Sequence, residues 1–133
     1  MNAMLTYDQL IKDLTIDPTK GFIERLSITL REQHFNIDQL IDLTFHPDVQ
    51  VGFRAAWLLD TTMLASPEHY VDHLEYFVTR MGQVTNASCK RHYTRIIMHL
   101  TAPDAPEVIK QKLAGLDLET VVEQCFDWIM KQL

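Results

Sequence analysis

The densest group of chemistry-bearing side chains in this chain is Lys90, Arg91, His92 and Arg95. On a helix, Arg91 and Arg95 are one turn apart and share a face, with Met98 and His99 bordering it a turn further on. Such a face offers donors to a phosphate or to an acidic partner segment, or stays solvated and pairs with carboxylates of the fifth or eighth helix. His69 and His73 also lie one turn apart, a spacing that can hold zinc. The glutamate of a zinc-protease motif is missing, because Tyr70 follows His69, and no third ligand stands out. The carboxylate pairs Asp38/Asp42 and Glu119/Glu123 have acid–base spacing, but both flank apolar stripes as a solvent side would. Trp57 falls in an apolar stretch and reads as core. Trp128, beside Met130, would be an interface anchor if exposed. No serine elbow or glycine-rich phosphate loop is present, and no metal or cofactor is expected.

Composition sets the frame for these groups. The chain has 133 residues, 47% hydrophobic and 23% charged, which suits a single domain spanning 1–133. A net charge of −6 opposes general nucleic-acid binding, which needs a positive surface. Cys89 and Cys125 fall on apolar helical positions and read as buried thiols. The opening MNAMLTYDQL has no basic segment followed by an apolar run, and no apolar run approaches the ~20 residues that span a bilayer. A cytoplasmic protein without membrane contact is the expectation.

The elements that position these residues read as helices throughout. Strand alternation and hairpin dipeptides are missing, whereas helix signals are dense. The first helix covers about 6–14, with Thr6 and Gln9 at capping-box spacing. The second follows Asp17-Pro18, read as cap and first helical residue, and runs to about Gln33. The third starts at Asn36, turns Ile37, Leu40, Ile41 and Phe45 inward, and stops at Pro47. The fourth, about 48–64, carries Val51, Phe53, Ala55, Ala56, Trp57, Leu58 and Leu59 and has almost no polar face. A helix apolar all round must be covered on several sides, so it belongs at the centre.

The fifth helix begins at Ser66-Pro67, with Val71, Leu74, Val78 and Met81 as its stripe and Gly82 at its end. The sixth follows Asn86 and runs to about Thr101, facing inward through Cys89, Tyr93, Ile96, Ile97 and Leu100. After a loop at 102–106, Asp104 and Glu107 have capping-box spacing for a short seventh helix ending near Gly115. The eighth follows Asp117 and carries Leu118, Val121, Val122, Cys125, Phe126, Ile129 and Leu133. Eight helices in four pairs with short loops predict an all-α domain of antiparallel neighbours.

A shift of 38 residues sets Asp48 on Asn86, both at helix starts, and Leu58-Leu59 on Ile96-Ile97. Helix pairs at a fixed period mark stacked repeats. Through Pro47, Asp48, Val51, Arg54, Ala55, Ala56 and Leu59 the chain resembles the HEAT/armadillo-like repeats. In that family an aspartate and an arginine at the spacing of Asp48 and Arg54 form a ladder between repeats. Asn86 and His92 occupy those places in the next unit. The best units are 36–64 and 67–101.

The resemblance implies a short HEAT-like, right-handed α-α superhelix and a non-enzymatic interaction or scaffold module. Its partner would be a protein segment lying along the fourth and sixth helices, with Arg54, Lys90, Arg91, Arg95 and His99 as contacts. The alternative is a HEAT-like nucleic-acid-binding or base-repair protein using the basic face of the sixth helix. A homo-oligomer through the eighth helix is a third expectation.

Overall fold

The computed structural model describes residues 4–131. Its α-helices are α1 (Tyr7–Thr15), α2 (Lys20–Glu32), α3 (Ile37–Leu43), α4 (Val49–Ala65), α5 (Leu74–Met81), α6 (Ala87–Leu100), α7 (Glu107–Ala114) and α8 (Leu118–Lys131), and a 3-10 helix, Pro67–His73, leads into α5. Among the described residues there is no strand.

Side-chain caps decide where most helices begin. Thr6 Oγ1 accepts from the Gln9 N–H at 3.1 Å. Asp48 accepts from Gln50 and Val51, and Asn86 from Ser88 and Cys89. Each satisfies N–H groups that a helix start leaves unpaired. Asp117 receives the Thr120 hydroxyl and N–H, which hold its carboxyl below the usual range.

Three helix starts differ from the sequence reading. Helix α2 is capped by Thr19, whose Oγ1 takes the Phe22 N–H at 3.0 Å, so Asp17-Pro18 stays ahead of the helix. Asp104 and Glu107 form no capping box. Ala102–Ala105 closes a separate turn, and Pro106 at the cap brings no side-chain acceptor. The fifth helix opens as a 3-10 helix: Ser66 makes no side-chain cap, and the first turn is tightened, with the His69 N–H on the Ser66 carbonyl at 3.1 Å.

Helix α4 is the centre. It packs on α1, α2, α3, α6 and the 3-10 helix, and Ala55, Ala56, Leu58, Leu59 and Met63 are fully buried. Each large side chain among them contributes about 1.5–3 kcal/mol by leaving water. Helices α2, α4 and α6 lie side by side, as do α3, the 3-10 helix and α7. Polar atoms in the core are paired: Thr62 with Ser27 at 3.1 Å, and Thr44 with Tyr93 at 2.8 Å. Tyr93 stacks on Phe77, with centroids 4.8 Å apart, and burial raises its phenol pKa. In α5, Leu74 and Met81 are fully buried as expected, and Phe77 rather than Val78 is the third fully buried residue.

One close approach locks α4 to its neighbours. A Cβ built on Gly52 would lie 2.9 Å from the Thr44 carbonyl oxygen, and Cys89 Sγ sits 3.3 Å from the Gly52 carbonyl. Only glycine lets these backbones meet.

The apolar face expected for α8 is divided. Val121, Cys125 and Trp128 are buried, whereas Val122, Phe126, Ile129 and Met130 are exposed. Among the described residues, the rest of the chain covers one side of this helix. Leu133 lies outside the described residues, as do the first three residues of the opening segment.

Candidate interaction groove

The basic residues of α6 divide between two tasks. His92 Nδ1 lies 3.0 Å from Asp60 Oδ2 on α4, and Arg95 Nε lies 3.4 Å from the same oxygen. Asp60 is nearly fully buried, so its charge needs these donors. The sequence reading looked for these carboxylates on the fifth or eighth helix; the acceptor, Asp60, is on α4. The signal for Asp60 was its place as a charged residue inside an apolar helix, which demands a partner.

Lys90, Arg91, Thr94, Arg95 and Met98 line one wall of a groove, and Trp128 and Ile129 of α8 line the other. Its volume is about 230 Å³. Lys90 Nζ stands 5.5 Å from the Trp128 ring centroid, a distance at which a cation is attracted to the ring face. Trp128 is therefore a buried floor rather than an exposed anchor, while Met98 and Ile129 are open to solvent. Two polar links hold α8 in place: Cys125 with Thr94, and Gln124 Nε2 with the Gly82 carbonyl at 3.4 Å. Burial outweighs the Thr94 bond and raises the Cys125 thiol pKa. The groove thus combines a cationic rim with an apolar floor.

Arg54 stands apart from this cluster. Its guanidinium donates to the Leu14 carbonyl at 3.2 Å and lies 3.6 Å from Asp17. Asp48 spends its carboxylate capping its own helix, so the aspartate–arginine ladder is replaced by links from Arg54 and His92 to the preceding unit. His99 is exposed on α6 but does not line the groove. Trp57 is half-buried and stacks on Phe53, which also meets the His92 ring at 5.7 Å between centroids.

Asp38, Asp42 and His73 have structural partners. Asp38 meets His73 Nδ1 at 2.9 Å, and Asp42 accepts from the Tyr76 hydroxyl and faces Arg80 at 3.7 Å. These pairs fasten α3 to the 3-10 helix and α5. Glu119 and Glu123 are exposed. Among the described residues, no group of three or more His, Cys, Asp or Glu side chains could hold a metal ion, and no helix is long and apolar enough to cross a membrane.

Stacked helix pairs with a groove along the second helices define a helical-repeat protein. Residues 10–110 match the HEAT repeat domain, and the chain belongs to this family. No curated protein and no solved structure matches it.

Proposed function

We propose that this chain is a non-enzymatic protein-interaction module that takes an acidic, partly apolar protein segment into the groove between α6 and α8. The observation that carries this reading is the shared groove: Lys90, Arg91 and Arg95 flank Met98, Trp128 and Ile129. A helix or extended segment with carboxylates on one edge and apolar anchors on its face complements such a surface. Arg91 supplies the most adaptable charge, being exposed and tied only to Ser88 at 3.2 Å. Arg95 contributes while anchored to Asp60, and Arg54 serves the fold.

The test compares affinity capture by the wild type with capture by Arg91→Glu/Met98→Glu. Both positions are exposed, so the double substitution spares the core. The reading expects a protein partner that survives nuclease treatment and is lost in the variant, with helical content unchanged. A partner retained by the variant, or one released by nuclease, contradicts it.

A further inference from the structure

A second concavity is built from earlier parts of the chain than this groove and shares no lining residue with it. Arg31, His34, Phe35, His69, Tyr70 and His73 surround an open cleft of about 520 Å³ where the end of α2 meets the 3-10 helix. Small-molecule sites commonly span about 300–1,000 Å³. Three of the chain's 6 histidines are gathered here, and none of the residues lining the cleft is acidic, although the net charge is −6.

Two features of the cleft are costly to the fold alone. His34 has φ 51°, in the left-handed region. The turn it makes brings the Phe35 N–H onto the Leu30 carbonyl at 2.9 Å. Glycine is the usual residue at such a helix end, because a Cβ there crowds the following carbonyl. Arg31 Nε is buried without a hydrogen-bond partner, an arrangement native proteins rarely leave unexplained. A rotation of the guanidinium would present Nε–H and a terminal N–H together to an oxyanion. Asp38, behind the cleft on α3, accepts from His73 Nδ1 at 2.9 Å. It fixes that ring and leaves Nε2 to meet a ligand.

We propose that this cleft binds a small organic phosphate monoester, its phosphate on Arg31 and the histidines and its organic part against Phe35. The donors outnumber the two oxygens of a carboxylate and suit the three of a phosphate.

Phenyl phosphate is the probe, followed through the histidine ring resonances of the whole chain. Saturable shifts are expected at His34, His69 and His73, with His46, His92 and His99 unmoved. Arg31→Met and His69→Gln each weaken binding about tenfold or more, with the His92 resonance reporting that each variant is folded. His34→Gly weakens binding while raising the thermal midpoint, because it removes the strain with the ligand contact. Inorganic phosphate shifts the same three resonances with lower affinity. The proposal is overturned if the wild type shows no saturable shift, if all six histidines move alike, or if both Arg31→Met and His69→Gln bind as the wild type does. Inorganic phosphate binding as tightly as phenyl phosphate overturns the organic part of the assignment.

Discussion

Asp48 and Asn86 open the second helices of two successive units, and they differ by one atom type. Asp48 accepts from two N–H groups of its own helix. Asn86 does the same with Oδ1, and its Nδ2 also donates to the Val49 carbonyl of the preceding unit at 3.2 Å. Six residues on, Arg54 reaches back to the carbonyl of Leu14, whereas His92 reaches back to the carboxylate of Asp60. Four residues after the caps, Gly52 meets a backbone and Lys90 meets the Trp128 ring. The repeat therefore preserves the task of a position, a cap or a backward link, while the chemistry follows whichever group the neighbouring unit offers.

The largest effect that would break this equivalence is at Gly52. Gly52→Val should destabilise the fold by about 3 kcal/mol, because the added atoms press on the Thr44 carbonyl where the end of α3 meets α4. At the matching position, Lys90→Ala should cost about 0.5 kcal/mol or less, which urea denaturation of the two variants compares directly.

Next in size is the sixth position after the cap. His92→Leu should cost about 2 kcal/mol by removing a donor from buried Asp60. Arg54→Met should cost about 1 kcal/mol, since its Asp17 partner is almost fully exposed and an exposed ion pair contributes little. Equal losses in thermal melts would show that burial of the acceptor does not set the difference.

The caps themselves are a finer test. Asn86→Asp should cost about 1 kcal/mol, by facing a carboxylate oxygen to the Val49 carbonyl in place of a donor. Asp48→Asn should change stability by about 0.5 kcal/mol at most, since asparagine caps as well as aspartate.

Val51 and Cys89 are equivalent buried positions, but Cys89 carries an ionisable thiol, which also donates toward the Gly52 carbonyl at 3.3 Å. Burial pushes the Cys89 thiol from its ordinary 9.0 up to about 12. The unfolded thiol ionises first, so this contribution is complete below about pH 9 and is lost as pH rises toward about 12. Cys89→Val should cost about 1 kcal/mol at pH 7, through the lost thiol contact and the added methyl, and should reduce the alkaline loss, with Tyr93 and Cys125 contributing to the part that remains.

The helices and their order were legible because apolar spacing, proline and capping residues act locally. Pro47, Asp48 and Asn86 each marked an element boundary by their own chemistry. The outer boundaries were less legible because competing caps lay within two residues of each other, as with Asp17 and Thr19. The division of α8 into covered and open faces depends on which helices reach it, a fact of tertiary packing. The groove was half legible. Lys90, Arg91 and Arg95 stood out as charges on one helix, but their apolar floor comes from Trp128 and Ile129, more than thirty residues away in a different element. Asp60 was hidden by its apolar surroundings, although those surroundings are what make a paired carboxylate necessary.

The central functional claim is that the α6–α8 groove is where another protein docks. The most direct measurement places a photo-crosslinking amino acid at Met98, in the groove, and at Gln50, exposed at the start of α4, and irradiates each protein in its source cells. The account predicts a discrete protein adduct from position 98 that disappears when Arg91→Glu is added, and no such adduct from position 50. The same adduct from both positions, or none from position 98, would contradict it.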